Sequence, residues 1–159
     1  MQILIRRANK EDMLAVYDLI KELANFENEP DAVEINVEDL ERDGFGMKPK
    51  FVCYVAEVNN KIEGMALVYM RYSTWKGPVL HLEDLVVNRE MRGKEIGTKL
   101  LDQVVVFGNE LGVKRISWDV LDWNENAIAF YEKKGAKVMR DWDLVQLNEE
   151  GIKAYLSKL

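Results

Sequence analysis

The chain has 159 residues, with 22 Lys and Arg against 28 Asp and Glu, a formal net charge of −6. That balance argues against a nucleic-acid or anionic-membrane binder, which needs a basic face, and a single cysteine excludes an internal disulfide or a multi-cysteine metal site. No secretory apolar segment and no long apolar span is read, and the composition is 48% hydrophobic and 31% charged, so the expectation is one cytoplasmic domain over residues 1–159 that buries a real core.

Residues 2–6 read as a short strand. Asn9 then caps a helix with Glu11 and Asp12 in its first turn. Met13, Val16, Tyr17, Ile20, Leu23 and Ala24 recur at helical spacing and give that helix one buried face, which runs out near 26–30. Asn36 caps a second, short helix that stops at the glycines of 43–46. Residues 51–58 and 61–70 read as strands joined by Asn59-Asn60, a pair that tolerates the left-handed backbone of a tight hairpin turn. Cys53 falls in the apolar run 51–56 and reads as a small buried hydrophobe. Residues 72–78 form the next connection.

Leu80-His81-Leu82-Glu83-Asp84-Leu85-Val86-Val87 is the strand around which the chain is organised. Its apolar positions change phase, from Leu80 and Leu82 to Leu85 and Val87, which is the trace of a β-bulge at Glu83-Asp84. His81, the one histidine, reads as structural. A basic turn, Arg92-Gly93-Lys94-Glu95-Ile96-Gly97, feeds an amphipathic helix that ends at Gly112. Such a turn offers backbone N–H groups to a phosphate, yet it is neither a Walker loop nor a G-x-G-x-x-G fingerprint. Residues 114–121 read as a strand and Asn124 caps a helix ending at Gly135. One or two strands are expected in 137–147 and a helix in 148–159. The order βααβββαβαβ(β)α describes an α/β chain of the α+β type with a mixed sheet.

Val86-Val87, Met91-Arg92-Gly93, Ile96-Gly97 and Leu100-Leu101, followed by Asn124, Ala127, Phe130-Tyr131 and Gly135-Ala136, resemble the GCN5-related N-acetyltransferase (GNAT) superfamily. Ile20 to Ala24, Asp39 to Gly46, Val55 to Val58, Leu82 to Leu85 and Leu121-Asp122-Trp123-Asn124 narrow the resemblance to its diamine (spermidine/spermine N1-) acetyltransferase-like branch, over nearly the whole chain. The resemblance implies acetyl transfer from acetyl-CoA to the primary amine of a small cationic substrate: a diamine, a polyamine or a thialysine-like amino acid. It implies two parallel strands that splay at the bulge and admit the cofactor, and a homodimer.

Residue by residue, the resemblance places acetyl-CoA against Leu85, Val86 and Val87, against Arg92, Gly93, Lys94, Glu95, Ile96, Gly97 and Thr98, and against Asn124, Ala127 and Tyr131. Glu83 becomes the candidate for drawing a proton off the amine, with Asp84 holding the cation. Tyr131 becomes the acid that protonates the leaving thiolate, since phenols and thiols have comparable pKa values. Glu27, Tyr72 and Trp75 match substrate positions, where aromatic rings suit an ammonium. Two departures stand out. Glu95 replaces the usual middle glycine of the turn and brings a negative charge to it, so an alternative is a catalytically weak acyl-CoA-binding protein of the same fold. Ser73 stands where the polyamine enzymes carry an acid, which points toward a smaller amine.

Overall fold

The computed structural model describes residues 1–159, which divide into two compact units, Met1–Asp119 and Val120–Leu159. The first unit is a five-stranded sheet in the order β1-β2-β3-β4-β5. Its strands are β1 (Ile3–Arg7), β2 (Val52–Val58), β3 (Lys61–Ser73), β4 (Gly77–Val87) and β5 (Ile116–Ser117). The first four pair antiparallel and β5 joins β4 in parallel. Between β1 and β2 lie helices α1 (Met13–Phe26) and α2 (Val37–Phe45), and between β4 and β5 lies α3 (Ile96–Leu111).

Strand alternation divides the core between the two faces of the sheet. Cys53, Val55, Met65, Leu67 and Val86 pack with Met13, Val16 and Leu19 of α1 and Leu40 of α2. Burying each such side chain contributes about 1.5–3 kcal/mol. Burial pushes the Cys53 thiol up to about 12, so it behaves as the small hydrophobe the sequence suggests. On the opposite face Ile96, Leu100, Leu101 and Val104 line the buried side of α3, and Tyr54 meets Phe107 edge to face at 5.7 Å. Close approach of α3 requires Gly64, where a Cβ would come within 3.1 Å of both Ile96 and Leu100.

Local chemistry sets the boundaries. Asn59 and Asn60, at φ 51° and 62°, both occupy the left-handed region that a two-residue hairpin of the primed type demands. Asn9 stands at the N-cap of a single 3-10 turn without a side-chain cap bond, its own N–H donating to Asp12 Oδ2 at 2.8 Å, and the α-helix proper begins at Met13. Arg6 fixes that entry from β1 by bridging Asp12 at 2.7 Å and Glu57 at 2.9 Å, and the guanidinium holds the Asp12 carboxyl below its ordinary range. Asn36 caps α2 by accepting the Asp39 N–H at 2.9 Å.

The bulge in β4 is present. Val68 pairs with Leu82 and Leu67 with Asp84, so Glu83 has no partner of its own on β3. The phase change follows directly: Leu82 and Leu85 oppose Val68 and Ala66, both on the α3 side, while Asp84 and Val86 oppose Leu67 and Met65 on the α1 side.

Three sequence expectations need correction. The connection at 72–78 is shorter, because β3 runs to Ser73 and β4 restarts at Gly77. The strand expected over 114–121 pairs only at Ile116 and Ser117, opposite Leu80 and His81, since the bulge redirects the edge of β4 two residues later and the ladder ends there. No strand forms in 137–147. It is rich in apolar and β-favouring residues, but Trp142, Leu144 and Val145 are 66%, 74% and 90% exposed, and such a stretch makes a strand only where a backbone partner completes the ladder. The second unit therefore holds two helices, α4 (Glu125–Lys133) and α5 (Glu149–Leu156). Their N-termini are capped by Asn124 and Asn148, whose side chains accept from Ala127 and Gly151 N–H.

Candidate active site

The bulge places the successive carboxylates of Glu83 and Asp84 together in the wall of one cleft. The cleft measures about 370 Å³, and Ile20, Leu40, Phe51, Leu67 and Tyr69 supply its apolar surface. Without the extra residue, neighbours on a strand would point to opposite faces. Asp39 and Asp43 of α2 also reach the cleft, but their charge is matched by Arg42 at 2.9 and 3.2 Å and by Lys50, 3.2 Å from Asp43. Asp84 has no such relief. Burial, then the negative charges of Glu83 and Glu27, raise its carboxyl from the ordinary aspartate value to about 6. Glu27, just past the C-terminal end of α1, is itself raised by burial. The cleft thus combines a neutral ion network on α2 with uncompensated carboxylates on the sheet, an arrangement that favours a cation. These acids do not form a group suited to a metal ion.

Glu83 is the more exposed of the pair and has two neighbours on the sheet. The Tyr69 hydroxyl is raised by burial and, beyond that, by the charge and hydrogen bond of Glu83, and His81 Nε2 lies 3.7 Å from Glu83 Oε2. Neither Tyr69 nor the α2 ion network was identified from the sequence. The hairpin register, which sets Tyr69 opposite His81, is the signal that could have pointed to Tyr69.

The turn before α3 is held from α1. Glu22 Oε1 accepts the Arg89 N–H at 2.8 Å and lies 3.6 Å from Arg92 Nη2. Arg92 Nε donates to the Val87 carbonyl at 3.1 Å, and its guanidinium sits 5.2 Å from the centre of the Phe26 ring. The first bond internal to α3 runs from Lys99 N–H to Glu95 C=O, so the N–H groups of Ile96, Gly97 and Thr98 have no acceptor within the helix. Gly93 and Glu95 adopt φ 75° and 65°. Glu95 therefore takes the left-handed conformation that a glycine would supply, with its side chain exposed and making no cap bond. Leu85 and Val87 are half-buried, Val86 is buried, and the edge of β4 beyond His81 carries no strand on the β5 side.

That conformation makes a checkable prediction. A non-glycine residue in this region carries about 1–2 kcal/mol of strain, partly offset by the larger freedom glycine has when unfolded. Glu95→Gly is expected to stabilise the fold by about 0.5–1 kcal/mol and to tighten CoA binding by removing a negative charge at the helix N-terminus. Calorimetric titration with CoA checks the second expectation; equal or tighter binding by the natural chain would refute it.

The other sequence-derived residues are distributed as follows. Tyr72 and Trp75 stand at the tip of the β3–β4 hairpin, 76% and 77% exposed, and neither lines the cleft. In the second unit Asn124 caps α4, Ala127 sits in its first turn, and Tyr131 is half-buried near its end, with the Phe130 ring at 5.4 Å.

Comparison with known proteins places this arrangement. Residues 13–136 match the Acetyltransferase (GNAT) family. A thialysine N-epsilon-acetyltransferase of Bos taurus is 34% identical over 167 residues, covering 98% of each chain. The spermidine/spermine N(1)-acetyltransferase-like protein 1 of Homo sapiens is 36% identical over 156 residues, covering 92% of this chain and 22% of that one. Among solved structures, AAC(6')-Iy in complex with a CoA-linked bisubstrate analogue superposes with a TM-score of 0.76 at 17% identity, over 92% of this chain and 98% of that one. With the bulged strand, the pinned turn and a family match across most of its length, the chain belongs to the GNAT acetyltransferase family and is an N-acetyltransferase.

Proposed function

We propose that this enzyme transfers the acetyl group of acetyl-CoA to the primary amine of a small cationic substrate, of the diamine, polyamine or thialysine-like amino-acid class. The observation that carries the reading is the bulge, which sets Glu83 and Asp84 side by side in one cleft with no cation to match them. The relatives, a thialysine N-epsilon-acetyltransferase and a spermidine/spermine N(1)-acetyltransferase-like protein, support an amine acceptor.

The residues present fit acetyl-CoA. The open edge of β4 at Leu85, Val86 and Val87 offers backbone groups to an extended arm, and the outward N–H groups of Ile96 to Thr98, with Arg92, Gly93 and Lys94 preceding them, suit a pyrophosphate. Acetyl-CoA supplies the activated acyl carbonyl when bound. Glu95 retains the backbone shape of the turn and turns its carboxylate to solvent, which favours the enzyme over a weak acyl-CoA-binding relative.

A primary ammonium, with a pKa of about 10, must lose a proton before it attacks. Glu83 and Asp84 attract the ammonium and take that proton. The sequence reading gave Asp84 only the holding role. Its carboxyl, raised to about 6, is the one that burial poises near neutral pH, so the proton is assigned to the pair with Asp84 as its poised member. Glu27 adds negative charge beside Asp84. Tyr131 protonates the departing thiolate, and Asn124 and Ala127 hold the cofactor arm; these roles rest on the resemblance. Tyr72 and Trp75 keep their proposed substrate contacts on the same ground. The family match at 13–136 runs from the first compact unit into the second, which supports one catalytic domain, and a cytoplasmic homodimer completes the reading.

The test is acetyl-CoA consumption against a panel of diamines, polyamines, thialysine and amino acids. Thiol release with at least one amine is expected; CoA binding with no release to any amine would favour the acyl-CoA-binding alternative.

A further inference from the structure

His81 is the one histidine of the chain. It is 4% exposed, which is unusual for a residue whose ring carries two polar atoms, and each atom faces a polar neighbour. Nδ1 lies 2.9 Å from Ser117 Oγ on β5 and 3.5 Å from Arg71 Nη1 on β3. Nε2 faces Glu83 Oε2 at 3.7 Å. The Tyr69 ring packs against the imidazole with centroids 5.2 Å apart.

The partners of Nδ1 decide the tautomer. A guanidinium has only donors, whereas a serine hydroxyl donates or accepts. A ring nitrogen that faces Arg71 must therefore present its lone pair, and Ser117 then donates to the same atom. The ring proton is left on Nε2, directed at the carboxylate that shares the cleft with Asp84. Burial lowers the proton affinity of His81 and Arg71 lowers it further, while Glu83 and Asp119 oppose this. A neutral imidazole fixed in this way turns its N–H toward Glu83, 3.7 Å away, and cannot serve as acceptor for the substrate's proton through Nε2.

We propose that His81 is a positioning residue: its Nε2–H, set in that tautomer by Ser117 and Arg71, acts with the Tyr69 hydroxyl to orient the Glu83 carboxylate for the substrate ammonium. The inference rests on the reading of the cleft as the amine site. It assigns function to a residue whose place on the strand suggests only packing, and it explains why a buried polar side chain sits two residues before the bulge.

Because there is a single histidine, a ¹⁵N-labelled sample of the full chain gives one pair of ring nitrogen signals. Long-range proton–nitrogen correlation at pH 7 is expected to show a neutral ring with its proton on Nε2. A proton on Nδ1, or a doubly protonated ring, would overturn the proposal without any assay of turnover.

Two substitutions test the consequence. His81→Gln retains an N–H donor of similar reach, and His81→Phe retains a ring with none. With the polar N–H beside Glu83 replaced by an apolar ring edge, His81→Phe is expected to lower kcat/KM for the amine roughly tenfold, with KM for acetyl-CoA unchanged. His81→Gln is expected to recover most of that loss. Equal damage in both variants, or a parallel rise in both KM values, would mark a purely structural role. If His81→Phe fails to fold, the tautomer measurement on the natural chain still decides. A natural chain that acetylates no amine would defeat the amine-site reading, whereas the tautomer result judges His81 independently.

Discussion

Asp84→Asn is expected to raise the melting temperature of the protein and abolish most of its amine acetylation in the same substitution. The stability half follows from linkage. The native carboxyl is raised to about 6 from its ordinary 3.8, so the folded state binds more protons than the unfolded one between those values. The native state is therefore penalised for carrying the charge, fully above pH 6 and not at all below the unfolded value. At pH 7 the neutral amide removes a penalty on the order of 3 kcal/mol, or about 6–12 °C in a chain of this size. The gain should fade as the pH is lowered through 6 toward 4, and a thermal melt series across that range checks it. A uniform gain at all pH values would mean that asparagine simply packs better.

The activity half has the opposite sign. If Asp84 takes or holds the substrate's proton, kcat/KM for the amine falls by about 10²–10³, and the acid limb of its pH profile, expected near pH 6 in the natural enzyme, is lost or displaced. A variant that is both more stable and fully active would remove Asp84 from the reaction. The site would then fall outside the usual exchange in which stability is given up for function.

The second large effect is expected at Tyr131. Removing the hydroxyl while keeping the ring, in Tyr131→Phe, should lower kcat by about 10²-fold or more and leave KM for acetyl-CoA within about twofold, because a group that acts only as the thiolate leaves adds little to ground-state binding. Tyr131 is half-buried on α4, so the melting temperature must be measured beside the kinetics. A fall in stability with unchanged kcat would make the tyrosine an anchor for its helix instead. Full retention of kcat would return the search for the acid to the tyrosines of the first unit.

The sequence discloses this site unevenly. The bulge was legible because it is written in the chain as a phase change: Leu82 and Leu85 can share the α3 face only if one residue between them is extra. The starts of α2 and α4 were legible because Asn36 and Asn124 cap them with their own side chains, whereas the Asn148 cap of α5 was not read. The turn was legible from its charge and glycines, but its anchor was not, since Glu22 reaches Arg89 across 67 positions and ordinary helix periodicity gives no sign of it. Asp39 and Asp43 look like first-turn and surface acids; only the fold brings them to the wall that Glu83 shares. The strands expected in 137–147 illustrate the opposite error, in which a local pattern is real but lacks the long-range partner that would make it a strand. Glu95 belongs to a third kind: its identity suggested a lost glycine, and the backbone shows that the geometry of the glycine survived the replacement.

The bulge has one more consequence. Pairing between β3 and β4 is regular on either side of Glu83, from Ser73 with Gly77 to Val68 with Leu82 and again from Leu67 with Asp84 to Gly64 with Val87. A chain shortened by that single residue would keep every one of these pairs and the same two packed faces. Deletion of Glu83 is therefore expected to leave the β3–β4 pairs in place while removing one of the two acids from the cleft wall.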